Sequence, residues 1–355
     1  MKIMQVIPAF RLAGAEVMCE NLCIALKNAG ETVIAVSLYS EKTAITGRLE
    51  KAGVRIEYLD KKIGFDPSII FKLVRLFKRE KPDVVHTHIY ASKYGLIAAV
   101  LAGINRKIHT VHSIAQQEQG KLGKIINNFM YQHCGVVPVA LSQEVRKSIS
   151  DVYGLKEDLV PTIFNGIDLS KCITKTNYRE NKIFTILHIG RFMQVKNHEI
   201  LIRVFADFVK EHPCSKLQLL GEGVLFGETQ NLAKTLVIGD KVDFLGLQSN
   251  VYPYLHDADV FCLPSEYEGV PMTLIEAMGT GLPIIASNVG GISDMLANGE
   301  SALLIKPKIN ELEEAMETLY SSEELRAKLG QAACRRSEVF SSEAMAKSYM
   351  KVYRC

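Results

Sequence analysis

The sequence predicts two doubly wound α/β domains, and three observations carry that expectation. The chain has 355 residues with 48% apolar content, about twice a usual domain, so two separate cores are expected. Short apolar strand-like runs alternate with helix-period segments, the pattern of a parallel sheet wrapped by helices. A polar stretch near the middle breaks that alternation, which then starts again.

In chain order, KIMQVI is followed by a helical segment from Ala15 to Ala29, then by TVIAVSL and VRIEYL. A second helical segment, Pro67 to Arg79, precedes DVVHTH; a third, Ala91 to Ala102, precedes KIHTVH. Gly30 stands where a C′ residue would end the first helix, and Pro82 blocks continuation into DVVHTH. The tract LSKCITKTNYREN after NGID has no apolar periodicity and reads as a linker. FTILHIG, KLQLLG, KVDFLG, ADVFCLP, GLPIIAS and SALLIKP then form a second series of strands. The expected organisation is a first domain over residues 1–168, a linker at 169–181, a second domain over 182–338, and a terminal helix at 339–355 packing back on the first domain. Open sheets of this kind bind ligands beyond the carboxyl ends of their strands, so the active site is expected between the domains.

Composition narrows the function. No stretch approaches the roughly 20 apolar residues of a membrane span; the richest, Tyr94 to Ile104, reads as a buried helix. The apolar run of MKIMQVIPAF is strand-length and too short for a signal peptide, so a cytoplasmic protein is expected. Eight cysteines lie mostly inside apolar periodic segments without C-x-x-C pairs and read as reduced core thiols. Net charge is +6 over residues 1–170 and −3 beyond them, an asymmetry that suits an anionic partner for the first half, whether membrane surface, anionic lipid or nucleic acid. Within that half, residues 61–81 hold seven Lys or Arg against two acids, interleaved with apolar positions. Packing of the apolar face on the sheet and a peripheral contact with an anionic membrane both fit such a helix.

Four constellations carry chemistry. In ADVFCLPSEYEGVPMTLIEAMGTGLPIIAS a strand ends at Pro264 and a helix is expected from Pro271 to about Met278. Its free N–H groups around Met272 to Leu274 would form an anion site suited to a phosphate. Glu268 precedes that helix and Glu276 lies about one and a half turns inside it, too far apart to share a proton. In HIGRFMQVKNHE, Gly190 permits close backbone approach, and Arg191 and Lys196 are cations that could neutralise a diphosphate. In PAFRLAGAE, Gly14 alone could admit a ligand to the backbone, a weak signal. In HTVHS, alternation puts Thr110 and His112 on one strand face, with His112 at the end that reaches the cleft; His86, His88 and His133 read as structural. Asp257 and Asp259 match a D-x-D pattern but open a buried strand, so no metal site is assigned to them. No G-x-G-x-x-G turn follows a strand in either half, which argues against a dinucleotide oxidoreductase.

Taken together, GRFMQVKNH, PSEYEGVPMTLIEAMGTGLPIIAS with its E-x7-E spacing, NGID, HTVHS and LAGAE resemble the retaining glycosyltransferase family four, the glycosyl-transferases group 1. The resemblance spans nearly the whole chain and is tighter in the second half. It implies the glycosyltransferase type B fold, a nucleotide-sugar donor and a glycan or lipid-linked acceptor; two fixed cations and a helix N-terminus would stabilise a departing diphosphate without a metal, and no cofactor or nucleic-acid partner is expected. It implies further that Glu276 binds the ribose hydroxyls, that Arg191 and Lys196 hold the diphosphate, and that Glu268 meets the donor sugar. Gly190, and the backbone of Gly269, Val270, Met272, Thr273 and Leu274, would complete the donor site, with Gly14 against the diphosphate and His112 near the sugar's 6-position. Ala13 replaces one of the family's usual paired glycines. A sugar-nucleotide epimerase and a non-catalytic sugar-nucleotide-binding protein are the competing expectations.

Overall fold

The computed structural model describes residues 1–118, 120–178 and 183–355. The chain divides into two compact units, Met1–Ile167 with Ser341–Cys355, and Asp168–Phe340.

In the first unit, β1 (Lys2–Ile7), β2 (Thr32–Ser37), β3 (Arg55–Tyr58), β4 (Val84–His88), β5 (Arg106–Val111) and β6 (Val136–Ala140) form one sheet. Its order is β3-β2-β1-β4-β5-β6 with every pairing parallel. Met4, Val6, Ile34, Val36 and Val85 pack beneath Ile69, Leu73, Leu76 and Phe77 of the Ser68–Glu80 helix. That helix buries its apolar stripe on the sheet, while Ile63, Phe65 and Phe71 beside it stay exposed. The first helix, Gly14–Asn28, ends where Gly30 takes φ +88°, a left-handed conformation that favours glycine. Central strands covered on both faces are usually continuous apolar runs. This sheet departs from that rule: Gln5, His86, Thr87, His88, His109 and Thr110 are all fully buried in it.

The second unit repeats the topology. Strands β7 (Phe184–Ile189), β8 (Ser215–Leu220), β9 (Val242–Gly246), β10 (Val260–Leu263), β11 (Ile284–Ser287) and β12 (Leu303–Ile305) lie in the order β12-β11-β10-β7-β8-β9, again parallel. Phe184, Ile186, Leu217, Leu219, Val260 and Ile285 meet Phe205 and Phe208 of the His198–Glu211 helix in its core. In each unit the winding direction reverses beside the first strand, between β1 and β4 and between β7 and β10. Loops leaving adjacent strands there diverge and open a crevice at their carboxyl ends.

The tract expected to be a linker is not a free tether over its described part. Asp168 opens a short 3-10 turn, Lys175 donates to Ala258 O at 2.6 Å, and Tyr178 donates to Gly281 O at 2.9 Å. Side-chain hydrogen bonds to buried backbone carbonyls, which need no apolar periodicity, hold this segment on the second unit. The remainder of the linker, residues 179–181, and Lys182 lie outside the described residues.

The chain's last helix, Ser342–Arg354, belongs to the first unit, where it packs on the Gly14–Asn28 helix. Its entry is pinned by Ser342 N–H donating to Ile167 O at 2.7 Å and Asn21 donating to Gly166 O at 3.0 Å. A Cβ on Gly166 would lie 2.5 Å from Ser341 O. Gly166→Ala is therefore expected to destabilise the protein by about 2 kcal/mol or more in urea unfolding, since backbone atoms on both sides have to shift; an unchanged midpoint would contradict this packing.

Candidate active site

The reversal between β7 and β10 brings two loops of the second unit together. Gly190 and Arg191 leave β7, and the 3-10 turn Gln194–Lys196 follows. Gly190 has a steric reason: a Cβ there would lie 2.8 Å from His188 Nε2 and 3.5 Å from Lys196 Cδ. The loop after β8 approaches even more closely. Gly221, at φ +131°, would place a Cβ 2.1 Å from Gly190 O, and Gly223 would place one 2.3 Å from Phe192 O. Both glycines are structural partners of the β7 loop that the sequence reading missed, although G-E-G directly after a strand was a visible signal. Arg191 points to solvent and is exposed.

Lys196 was expected at a diphosphate and Glu268 at the donor sugar, with no contact between the two foreseen as an alternative to separate ligand roles. Instead the two are paired, with Lys196 Nζ 2.6 Å from Glu268 Oε1. Ser265, also missed, donates its hydroxyl to the same oxygen at 2.6 Å. Glu268 is buried, and a cation and a hydroxyl satisfy its Oε1. Its other oxygen, Oε2, takes no hydrogen bond among the described residues. The loops are joined further by Glu266 N–H donating to Val195 O at 2.8 Å.

Downstream, the helix runs Met272–Thr280, two residues beyond the expected end, and Gly281 at φ +72° terminates it. Pro271 is its N-cap in extended conformation (φ −70°, ψ 124°) and not its first helical residue. Leu274 N–H is not free, as it donates to Pro271 O at 3.1 Å. The donors left at this helix end are thus Met272 and Thr273, whose N–H groups take no backbone partner among the described residues. Gly269 and the buried Val270 form the loop that delivers the chain to this helix.

Glu276 lies four residues after Met272, about one turn inside the helix instead of one and a half. Its carboxylate takes no hydrogen bond among the described residues, while its backbone O accepts from Thr280 Oγ1 at 2.9 Å. Burial pushes its pKa from 4.5 up to about 7, against a partial opposing pull from Lys171. An unpartnered half-buried carboxylate is a strong acceptor for ligand hydroxyls.

In the first unit, Gly14 begins its helix with nothing within 4 Å of where a Cβ would be, so no protein atom requires glycine there. His112 follows β5 and is half-buried; its backbone N–H donates to Glu118 Oε1 at 3.1 Å. Its ring joins His88, with Nε2 3.1 Å from His88 Nδ1. His86 and His88 are buried and hydrogen-bonded. Asp259 of the D-x-D pattern accepts Thr185 N–H at 2.8 Å and so ties β7 to β10. Among the described residues no group of three or more His, Cys, Asp or Glu could hold a metal ion, and no helix is long and apolar enough to cross a membrane.

The raised pKa of Glu276 has a sign that can be checked. Ionisation is harder in the folded than in the unfolded chain, so the penalty is absent below about pH 4.5 and complete above about pH 7. Glu276→Gln removes it. The variant is expected to gain at most about 3 kcal/mol over the parent at pH 8, reduced by solvent screening of the half-buried group, and almost nothing at pH 4.5 in urea unfolding; an equal difference at both would refute the burial of that charge.

Comparison with known proteins identifies the family and agrees with the fold. Residues 12–171 match the family described as Glycosyltransferase Family 4, and residues 173–336 match Glycosyl transferases group 1. The UDP-Gal:alpha-D-GlcNAc-diphosphoundecaprenol alpha-1,3-galactosyltransferase of Escherichia coli is 30% identical over 264 residues, 68% of this chain and 67% of that one. The N-acetyl-alpha-D-glucosaminyl L-malate synthase of Bacillus anthracis is 29% identical over 306 residues, 81% of this chain and 79% of that one. Anabaena Alr3699/HepE, solved in complex with UDP-glucose, superposes with a TM-score of 0.85 at 19% identity over 100% of this chain and 99% of that one. Two six-stranded parallel units of the glycosyltransferase type B fold, matched nearly end to end by the two halves of one family, make this chain a member of the group 1, family four glycosyltransferases.

Proposed function

We propose that this glycosyltransferase moves a hexosyl or N-acetylhexosaminyl group from a UDP-sugar to a glycan or lipid-linked acceptor, with retention and without a metal. The observation that carries the reading is the unpartnered carboxylate of Glu276, one turn behind the free N–H groups of Met272 and Thr273. A nucleoside diphosphate needs those two things near each other: an acceptor for ribose hydroxyls and a positive helix end for phosphate. The names of the relatives favour uridine and a role in polysaccharide or glycoconjugate synthesis, since one is a UDP-galactose transferase acting on a lipid diphosphate and another a capsular polysaccharide glycosyltransferase.

In this reading Arg191, Lys196 and the helix end stabilise the negative charge that develops as the diphosphate departs. Glu268 holds Lys196 through Oε1 and offers Oε2 to a hydroxyl of the donor sugar. Gly190 keeps the Lys196 stem close to the backbone. The leaving phosphate oxygen takes the acceptor's proton on the same face of the sugar, so the anomeric configuration is kept. Gly14 and His112 are assigned to the donor by the family resemblance. The exposed Ile63, Phe65 and Phe71, next to the cations Lys62, Lys72 and Arg75, are the surface through which an anionic membrane would hold the protein near a lipid-linked acceptor.

Three measurements test the proposal. Glu276→Ala should weaken UDP binding about tenfold to a hundredfold by calorimetry, the loss of hydrogen bonds to a charged acceptor. Arg191→Ala and Lys196→Ala should lower kcat by about 10²-fold or more while changing UDP affinity far less; equal losses in both would remove the leaving-group role. Turnover should persist in EDTA, with a product anomer matching the donor's by NMR, and product formation should require acceptor; epimerised donor formed without acceptor would mean an epimerase.

A further inference from the structure

Gln5, His86, His88 and Thr110 of the first sheet form, with His112, Tyr349 and Tyr353, a single chain of hydrogen bonds with a direction. Gln5 donates its amide N–H to Tyr353 Oη at 3.0 Å, which turns Gln5 Oε1 toward His88 Nε2 at 2.8 Å. A carbonyl oxygen only accepts, so His88 carries its proton on Nε2. All three rings are neutral: burial drives His86 and His88 well below the ordinary value and takes His112 to about 3. A neutral ring with Nε2–H has a lone pair on Nδ1. His112 must therefore donate Nε2–H to His88 Nδ1 across the 3.1 Å between them. In the other direction, Tyr353 Oη accepts from Gln5 and donates to His86 Nδ1 at 2.7 Å. His86 Nε2–H then donates to Thr110 Oγ1 at 2.7 Å, and Thr110 meets Tyr349 Oη at 2.7 Å.

We infer that the C-terminal helix, through Tyr353 and Gln5, sets the tautomer of His112, so that His112 Nδ1 always presents a lone pair to a sugar hydroxyl at the carboxyl end of β5. His112 Nδ1 takes no hydrogen bond among the described residues. In the opposite tautomer Nδ1 would carry a proton and could only donate. The chain could run in just two concerted senses, because each member between its ends, His112 and Tyr349, has one donor and one acceptor position in use, and the orientation of Gln5 selects one. Gln5, His88 and Tyr353 are thus positioning residues for a site more than 200 residues from Tyr353 in sequence, and Tyr353 ties the terminal helix to β1 and β4 by the same bonds. The inference rests on the proposed role of His112 in sugar binding, but the tautomer is measurable without it.

The test is long-range ¹H–¹⁵N correlation on the full-length protein with ¹⁵N-labelled histidine, with His112 assigned by loss of its signals in His112→Ala. In the unmodified protein both His88 and His112 are expected as the Nε2–H form throughout pH 6 to 8. A mixed or Nδ1–H His112 overturns the inference, and this arm needs no variant to fold. Tyr353→Phe removes the hydroxyl that holds Gln5, leaving the amide free to turn over. It should produce an Nδ1–H population at His112 and lower kcat about tenfold, the loss of one hydrogen bond, with UDP affinity unchanged. A folded Tyr353→Phe with His112 still wholly Nε2–H also overturns it. If His112→Ala transfers sugar at the parent's rate while the tautomers are as derived, the sugar-contact reading fails and the relay stands.

Discussion

Everything assigned to the second unit depends on the reversal of strand order between β7 and β10. Were β10 not hydrogen-bonded directly to β7, Lys196 and Glu268 would leave from separated strands and could not meet at 2.6 Å. The pairing Val260 with Ile186 and Phe261 with Leu187 sets that register, and Asp259 secures it by accepting Thr185 N–H. The mostly buried strands β7 and β10 make a slip of register costly, because it would break the packing of their side chains on both faces. Core packing thus fixes the separation of groups that themselves lie in loops.

The electrostatics of the site are balanced in stages. Lys196 and Glu268 neutralise one another, so the ligand-free loop carries no uncompensated buried charge. Glu276 has no such partner, and burial moves its titration to about 7. A carboxylate left short of hydrogen bonds departs from what a stability-optimised helix would hold. Arg191 remains exposed, and the helix end at Met272 and Thr273 supplies further positive potential without a side chain. The same contrast appears in the first sheet, where Gln5, His86, His88 and Thr110 replace apolar packing yet are joined with His112, Tyr349 and Tyr353 in one hydrogen-bonded chain.

Much of this was legible in the sequence. Each apolar run from KIMQVI to SALLIKP is a strand, because short runs buried on both faces need only apolar residues and a break at each end. The residue types at the site were legible too, since Gly, Arg, Lys and Glu at strand ends are unusual in a core. What escaped was pairing across long sequence separations: Lys196 with Glu268, Gly221 and Gly223 against the β7 loop, and Tyr353 with Gln5 and His86. These contacts are set by strand order and helix packing, which local periodicity does not encode. Helix ends were off by a residue or two, as for Pro271 and Leu274, because a cap depends on one backbone angle. The 169–178 segment looked like a tether because backbone hydrogen bonding leaves no mark in composition.

The account stands or falls on Glu276 as the acceptor for a nucleotide's ribose. The most direct measurement is a ¹³C-carboxyl NMR titration of Glu276 with and without UDP. The account predicts a midpoint near 7 in the free protein, falling by at least about one pH unit when UDP binds, because hydroxyl donors favour the ionised form. A midpoint near the ordinary carboxyl value in the free protein, or one that UDP leaves unmoved, would contradict it.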